Sequence, residues 1–297
     1  MVDPRQFGVV PKSSTSYALI SMIHHLTSAT DGNGSLTQLV FFDYRKAFDL
    51  IDHYFLVNKL FSLDIPPWVV RWVSDFLTAR QQRVKLGPND YCSDVPAGVP
   101  QGTILGSWLY SLMINDLDVS GVSLWKYVDD LTVSEIVPKN MTSNIQSIVD
   151  DIQSQSESLK FTLNEDKCQE MWIQFSKVQS QCLPLTIYST ELGFVNQAKV
   201  LGVIISNDLE WNSHVDSIVR KASKRMYFLR QLKRGNVSCD DLVQFYCTCI
   251  RPVVEYASPV FHYALPVYLN DELERIQKRA LSIITSSDTP YGDVWNR

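Results

Sequence analysis

Two adjacent aspartates, Asp129 and Asp130, are the residues in this sequence best placed to do chemistry. They follow Tyr127 and Val128, and the segments on both sides are short and rich in strand-forming residues. This pattern predicts a β-hairpin with both carboxylates at or beside its tip. Adjacent carboxylates repel each other unless a cation holds them, and a hard divalent metal ion is the natural partner. A pair of solvated turn aspartates is the alternative, since aspartate is common in turns.

A third carboxylate, Asp43, ends the continuous apolar run Leu36–Phe42, which is typical of a strand covered on both faces. If that strand lies beside the hairpin, Asp43, Asp129 and Asp130 converge on one edge of a sheet. Three carboxylates suit two Mg²⁺ ions (Mn²⁺ is possible) that support phosphoryl transfer, because such ions also take oxygen ligands from substrate phosphates. Taken alone, Asp43 could instead be a strand-end or helix-capping residue.

The composition predicts a globular chain with room for one large domain or two small ones in 297 residues. Hydrophobic residues make up 45% and charged residues 20%, which argues against disorder. The net charge is −5, yet residues 214–234 carry +6, so the rest of the chain carries −11. A basic stripe on an acidic body indicates a surface that faces a partner, although a solvated helix face would look the same.

The cysteines and the apolar segments exclude several classes of protein. Six cysteines lack the spacing of a zinc site, and no signal peptide precedes them, which favours reduced thiols. The apolar stretch 242–269 is interrupted by Arg251, Pro252 and Glu255. It is therefore predicted to form buried helix and loop, and no membrane span is expected.

Hydrophobic periodicity predicts the elements that must position these side chains. Helices are predicted within 15–26, 47–60, 68–79, 103–117, 145–159, 215–229, 242–256 and 272–284. Strands are predicted at 36–42, 82–86, 91–95, 121–126, 131–136, 171–175, 183–188 and 199–205, with turns at 31–34 and 87–89. Strands and helices mix in the first part and only helices follow residue 210, which predicts an α+β body and then a helical subdomain.

Three segments resemble the palm motifs of reverse transcriptases and occur in that family's order: Phe41–Asp49, Gly98–Gly106 and Tyr127–Asp130. The run from Asp43 to His53 is most similar to the jockey and chicken-repeat group of non-LTR (LINE-type) retrotransposons. The resemblance implies an α+β right-hand polymerase fold. Its parts would be partial fingers at 1–36, a palm at 37–205 with an inserted fingers segment at about 60–97, and a thumb-like helical region at 206–297.

The resemblance also implies roles for single residues. Asp43 and Asp129 would be the principal metal ligands and Asp130 a weaker one, so that together they bind two Mg²⁺ ions. Lys167, in a motif with Asn164, would protonate the pyrophosphate leaving group. The ring of Phe48 would lie under the incoming sugar and exclude a 2′-hydroxyl. The plain alternatives are a surface lysine at position 167 and a core phenylalanine at position 48.

Further implied contacts involve the nucleotide and the nucleic acid. Gln101 and Gly102 would touch the nucleotide and the template, and Tyr127 would lie beside the primer terminus. The basic helix would follow the template–primer backbone through four side chains: Arg220, Lys221, Lys224 and Arg225. His214, at the start of that helix, is predicted to be a packing residue and not a catalyst.

The start of the chain departs from the family pattern. Fingers residues that grip the triphosphate normally precede the Gln6–Gly8 stretch, and an endonuclease normally lies upstream, so N-terminal truncation is expected. The leading interpretation is an RNA-directed DNA polymerase that uses an RNA template, a DNA primer and dNTPs. The alternative is a catalytically inert retrotransposon remnant that at most binds nucleic acid. A small-molecule metal hydrolase is disfavoured by the order of the motifs.

Overall fold

A central antiparallel sheet positions the acidic residues in the first of two units, Met1–Val195 and Asn196–Arg297. The computed structural model describes residues 2–30, 35–87, 89–139, 141–175 and 183–285. The elements of the first unit are α1 (Thr15–Thr30), β1 (Leu36–Phe42), α2 (His53–Ser62), α3 (Pro67–Leu77), β2 (Gln81–Leu86), β3 (Asn89–Asp94), α4 (Ile104–Ile114), β4 (Ser123–Tyr127), β5 (Asp130–Val137), α5 (Ile145–Ser158), β6 (Gln169–Ile173), β7 (Thr186–Ile187), β8 (Thr190–Glu191) and β9 (Gly193–Phe194).

The sheet has the strand order β4-β5-β1-β6-β9, and β1 runs antiparallel to both of its neighbours. Leu39 and Val40 of β1 are fully buried although they point to opposite faces, which confirms a strand covered on both sides. Val40 belongs to a core that also contains Leu109 of α4 and Val149 of α5, whereas α1 packs on β1 and β4. The predicted antiparallel α+β body is therefore confirmed, and the strand pair β2–β3 is found where it was expected.

The prediction of a helix from residue 47 is wrong, because α2 begins at His53. Lys46 adopts a left-handed φ of 46°, and residues 45–50 form turns. Asp52 then caps the helix, since its side chain accepts a hydrogen bond from the backbone N–H of Phe55 at 2.8 Å. The six residues before the cap thus stay irregular and remain available to pack against other loops.

The second unit contains a hairpin followed by helices. Its elements are β10 (Gln197–Val200), β11 (Val203–Ser206), α6 (Asn212–Arg234), α7 (Cys239–Phe245), a π-helical segment (Tyr246–Ile250), α8 (Arg251–Glu255), α9 (Ser258–Phe261), a 3₁₀ turn (His262–Ala264) and α10 (Val267–Thr285). The single strand predicted at 199–205 is wrong, because the chain reverses at Leu201–Gly202, where Gly202 has a φ of 88°. The predicted strand at 183–188 shortens to β7, and the predicted turn at 31–34 lies outside the described residues.

The long helix α6 buries the predicted apolar stripe against α10. His214 is buried on this helix and accepts a hydrogen bond from the backbone N–H of Ile204 through Nδ1. Burial and then the nearby Lys221 lower the pKa of His214 to about 4, and its ring contacts Phe261 edge-on. These contacts confirm His214 as a packing residue. In the described parts of the chain, five cysteines are free thiols and no helix is both long and apolar enough to cross a bilayer.

Candidate active site

The strand register brings two of the predicted carboxylates to the same end of the sheet. Phe42, the last residue of β1, pairs with Leu131 of β5. Asp43 directly follows Phe42 and Asp130 directly precedes Leu131, so both lie where this antiparallel ladder ends. Asp129 occupies the tight β4–β5 turn immediately before Asp130. The predicted hairpin is confirmed, and all three carboxylates are carried to the same end of the sheet.

These carboxylates affect one another electrostatically. Burial raises the pKa of Asp130 to about 6, with further upward contributions from Asp129 and Asp43. Burial also raises the pKa of Asp129, where Asp43 adds to the effect and a backbone N–H opposes it. Both residues also keep a solvent-exposed surface. The upward contributions that Asp43 makes at Asp129 and Asp130 show that the carboxylates lie close enough to repel one another.

The loop 163–168 holds Asp43 from its main chain and from its carboxylate. Asn164 donates its backbone N–H to the Asp43 carbonyl at 2.8 Å and its side-chain Nδ2 to Asp43 Oδ2 at 3.1 Å. The buried Cys168 thiol accepts from the Asp43 N–H at 3.4 Å and lies 3.8 Å from the Asp43 carbonyl oxygen. Burial raises the pKa of Cys168 to about 11, which keeps the thiol protonated. Sequence reasoning missed Cys168 and gave Asn164 no such contact.

Lys167, the predicted general acid, lies on the same loop and is exposed. Its Nζ is 3.6 Å from Asp43 Oδ2, so the structure brings it to the carboxylates. At this distance and exposure the ion pair contributes little to stability. The contact does place an ammonium group beside the residue predicted to be a principal metal ligand.

Phe48 stacks on the buried Tyr110 of α4, with ring centroids 5.1 Å apart and an angle of 23° between the ring planes. Its carbonyl accepts a hydrogen bond from the N–H of Val99 at 2.8 Å. Phe48 is half-buried and lies in the irregular segment before α2. A ring fixed from below and open above can act as a steric surface. Tyr110 was not identified from the sequence, because an apolar helix does not show which ring meets Phe48.

Gln101 and Gly102 lie in an exposed loop whose start is anchored on the segment before α2. Gly98, with a φ of 83°, contacts Asp49 so closely that a Cβ there would lie 2.6 Å from the Asp49 carbonyl oxygen. The side chain of Gln101 donates to Asp49 Oδ1 at 3.3 Å. A cleft of about 690 Å³ is lined by this loop and by Arg80 and neighbouring residues of β2. Gln101, one of the two predicted nucleotide contacts, thus lines an open cleft, and Gly102 follows it in the same loop.

An unpredicted buried cation precedes the aspartates: the side chain of Lys126 is fully buried in β4. Its Nζ donates to Asp3 Oδ2 and to the carbonyl of Leu117, each at 2.6 Å. Arg5 binds the same Asp3 carboxylate through Nε at 2.9 Å. A charged residue within an otherwise apolar strand was the signal that could have identified this anchor.

The four predicted basic contacts lie on α6 in the second unit and are exposed. Arg225 differs from the others because its guanidinium donates to the carbonyl of Cys249 in the π-helical segment. Tyr227 and Phe228 also lie on the exposed surface of this helix, with ring centroids 5.6 Å apart. Exposed aromatic rings among basic side chains are typical of surfaces that bind nucleic acid. The sequence analysis assigned no role to these two rings.

A divalent metal ion fits the chemistry of Asp43, Asp129 and Asp130. Their carboxylates are hard oxygen donors. Burial raises the pKa values of Asp129 and Asp130, and the charge of neighbouring carboxylates, which a cation would offset, raises them further. The side chains do not form a ready-made cage: among the described residues, no group of three or more His, Cys, Asp or Glu side chains is arranged to hold a metal ion. The predicted ligand roles therefore stay predictions.

Comparison with known proteins gives a family match over the first unit. A family model described as reverse transcriptase (RNA-dependent DNA polymerase) matches residues 1–205. A second model, described as Alkylated DNA repair protein alkB homolog 8, N-terminal, matches residues 211–251.

Relatives agree with this family match, and a solved structure has a similar fold. The RNA-directed DNA polymerase from mobile element jockey of Drosophila funebris is 27% identical over 83% of this chain and 28% of that protein. The probable RNA-directed DNA polymerase from transposon BS of Drosophila melanogaster is 25% identical over 98% of this chain and 33% of that protein. The chain thus spans about a third of the length of these curated relatives. A telomerase from Candida tropicalis, solved with a fragment of telomeric RNA, shares the fold with a TM-score of 0.51 at 13% identity, over 96% of this chain and 44% of that one.

Proposed function

Because the chain belongs to the reverse transcriptase (RNA-dependent DNA polymerase) family, we propose that it catalyses RNA-directed DNA synthesis. In this reaction the 3′-hydroxyl of a DNA primer attacks the α-phosphate of a dNTP selected by an RNA template, and pyrophosphate leaves. The observation that carries the proposal is the register that brings Asp43 and Asp130 to one end of the sheet, with Asp129 in the adjoining turn. Three carboxylates at one end of a sheet support the proposal, because their oxygens would serve as hard ligands.

Asp43, Asp129 and Asp130 would hold two Mg²⁺ ions. When bound, such ions activate the attacking hydroxyl and neutralise charge on the transferring phosphate. The chain's own contribution is to hold these carboxylates in place. Asn164 and Cys168 restrain Asp43 from the side away from the hairpin.

The remaining predicted residues receive roles that their surroundings support. Lys167 carries a proton next to Asp43 and would deliver it to the pyrophosphate, a form of help that contributes roughly 10²–10⁴ in rate. Phe48, stacked on Tyr110, would exclude a 2′-hydroxyl. Gln101, which lines the cleft, and the adjacent Gly102 would contact the nucleotide and the template.

Residues of the hairpin and of α6 would contact the nucleic acid. Tyr127, the residue before the turn, would lie beside the primer terminus. The α6 residues Arg220, Lys221, Lys224 and Arg225 would contact backbone phosphates without reading sequence. In this proposal residues 1–36 form partial fingers, residues 37–205 form the palm, and residues 206–297 form the thumb-like region.

The direct test is primer extension on poly(rA)/oligo(dT) with dTTP and Mg²⁺, with the wild-type chain beside Asp129→Asn. We expect the wild type to incorporate dTTP and the variant to lose at least about a thousandfold of that rate, as is usual when a residue that acts in a catalytic unit is removed. Asp75→Asn is the matched control, since Asp75 is an exposed aspartate on α3. Extension that survives in Asp129→Asn would overturn the assignment.

A catalytically inert remnant that binds nucleic acid is the second candidate. Two observations favour it. Among the described residues, the three carboxylates are not arranged to hold a metal ion. In addition, Lys167 forms an ion pair with Asp43. No extension by the wild type, together with retained binding of the primer–template in an anisotropy assay, would support this candidate against the polymerase.

A further inference from the structure

The N-terminal segment around Gln6 lies directly against the end of β4. Gln6 forms a parallel bridge with Lys126. The N–H of Phe7 donates to the Lys126 carbonyl at 2.8 Å, and the Lys126 N–H donates to the Arg5 carbonyl at 2.9 Å. The buried contact between Lys126 Nζ and Asp3 fastens the same segment a second time. Residues 3–8 therefore extend the sheet edge next to the hairpin.

Within this segment the side chain of Gln6 reaches the turn that carries Asp129. Its Oε1 accepts the backbone N–H of Val128 at 3.1 Å and that of Gly8 at 2.8 Å. Gln6 is only 4% exposed; its hydrogen bond with Gly8 is buried and that with Val128 is partly buried. One amide oxygen thus joins the N-terminal segment to the residue immediately before Asp129.

Val128 has a backbone conformation that needs such support. Its φ is 58°, in the left-handed region that β-branched residues avoid. Gly8 leaves space for it, since a Cβ at position 8 would lie 2.6 Å from Val128 Cγ2 and 2.7 Å from Val128 N. A strained residue persists only where its surroundings fix it, and here Gln6 binds its N–H while Gly8 accommodates its side chain.

We propose that Gln6 is a positioning residue for Asp129 and Asp130, because it fixes the left-handed turn at Val128 from which both carboxylates extend. Gly8 leaves the space that Val128 needs in this turn. Without the Gln6 acceptor, the partly buried N–H of Val128 loses this partner, and Val128 relaxes toward a conformation with negative φ. The relaxation redirects Asp129 while Asp43, on another strand, stays in place. The catalytic consequence rests on the proposed polymerase function, whereas the structural consequence does not.

The structural test is amide hydrogen exchange at Val128, measured by NMR on the full chain labelled with ¹⁵N-valine. Gln6→Met keeps the length of the side chain but has no oxygen acceptor, so we expect the Val128 amide to exchange at least about tenfold faster. Gln6→Glu keeps the acceptor and should restore slow exchange. Exchange at Val128 that is the same in Gln6→Met and wild type would overturn the proposal, whatever the activity of the chain.

The kinetic test compares the same variants in primer extension. Gln6→Met should lower kcat about fivefold to tenfold, the size expected for one hydrogen bond, and change the KM for dTTP less than about twofold. Gln6→Glu should recover most of kcat. The matched control is Gln146→Met on α5, which removes a similar acceptor from the N–H of Thr186 at 2.9 Å and does not touch the hairpin turn; it should leave kcat unchanged.

The outcomes separate the two proposals. If the wild type extends no primer, the polymerase proposal fails and the exchange measurement still decides whether Gln6 holds the turn. If the wild type is active and Gln6→Met exposes the Val128 amide without lowering kcat, the positioning role is refuted. A double-variant cycle sharpens the result, because Val128→Gly tolerates positive φ and should reduce the effect of Gln6→Met.

Discussion

The side chain of Asn164 donates a hydrogen bond to the carboxylate of Asp43 at 3.1 Å, while its backbone N–H donates to the Asp43 carbonyl. One residue therefore fixes both the main-chain position and the carboxylate rotation of a predicted metal ligand. The arrangement is typical of supporting residues around metal sites, where loss of the support weakens the metal or the activity without removing a ligand.

Asn164→Ala should lower the rate of primer extension about tenfold to a hundredfold and raise the Mg²⁺ concentration needed for half-maximal activity. The physical reason is that the Asp43 carboxylate becomes free to rotate. Activity as a function of Mg²⁺ concentration measures both effects. Glu165→Gln is the control, because Glu165 is in the same loop and pairs with Arg45 at 2.6 Å. A normal Mg²⁺ requirement in Asn164→Ala would contradict the assigned contact.

Asp130→Asn should stabilise the metal-free protein at neutral pH even though it damages the site. The folded-state pKa of about 6 lies above the ordinary value of 3.8, so protonation of Asp130 favours the fold at low pH. That contribution is lost as pH rises through about 6. We expect Asp130→Asn in EDTA to melt about 1–3 °C higher than wild type at pH 7.5 and to show a smaller difference at pH 5. A larger difference in melting temperature at pH 5 than at pH 7.5 would contradict the predicted direction of the pH dependence.

Lys126→Met should strongly destabilise the first unit. Its Nζ has four oxygen acceptors within 3.3 Å, on Asp3 and on three backbone carbonyls, and the substitution leaves the Asp3 carboxylate buried without this partner. Breaking a buried pair from one side lowers the free energy of unfolding by about 3–5 kcal/mol, which urea denaturation at pH 7 would measure. Arg83→Ala, which breaks an exposed ion pair with Asp90, should have no measurable effect.

The contact between Asp3 and Lys126 also predicts how the stability of the fold changes in acid. Burial raises the pKa of Asp3, but hydrogen bonds from Arg5 and Lys126 outweigh it and lower the pKa to about 2. Burial lowers the pKa of Lys126 and so disfavours its charged form. The oxygen atoms around Nζ accept its hydrogen bonds, so Lys126 is charged in the folded protein. The stabilisation from Asp3 is present above about pH 4 and lost as pH falls toward 2. Asp3→Asn should therefore lose stability at pH 7 and approach wild type near pH 2.

Phe48→Val should increase the use of rNTPs relative to dNTPs by about tenfold or more, because the ring no longer meets a 2′-hydroxyl. Tyr110→Leu should produce a smaller increase, since the support under Phe48 is lost. Competition between rGTP and dGTP on a cytosine template measures the ratio. Tyr110→Phe is the control. It keeps the ring and removes a buried hydroxyl that has no hydrogen-bond partner among the described residues, so selectivity should persist and the free energy of unfolding should rise by about 1 kcal/mol.

Lys224→Ala should weaken binding of the primer–template and reduce the slope of log affinity against log salt by about 1, as expected for one lost phosphate contact. Arg225→Ala should also lower the melting temperature, because Arg225 donates to the Cys249 carbonyl. Fluorescence anisotropy at 50–200 mM KCl and thermal melts separate the two effects. Lys160→Ala, at an exposed turn after α5, should change neither. An unchanged salt slope in Lys224→Ala would remove that residue from the interface.

The sequence by itself determined the family, the main elements and the residues most able to do chemistry. The apolar run before Asp43 and the strand-forming flanks of Asp129 specify a buried strand and a hairpin through local patterning alone. The basic stripe on α6 also follows from spacing along one helix. These features depend on neighbours in the chain, which is why they could be predicted without a structure. The errors arose where local signals conflict, as at residues 47–52, where helix formers precede the Asp52 cap.

Only the tertiary structure decided which distant residues meet. The register of β1 on β5 brings Asp43 and Asp130 to the same end of the sheet, and the loop at 163–168 contacts Asp43 from 121 residues away in the chain. Gln6 reaches Val128 across a separation of 122 residues. Nothing in the periodicity of a segment encodes such contacts, because they depend on how finished elements pack and on which backbone N–H groups that packing leaves to be satisfied.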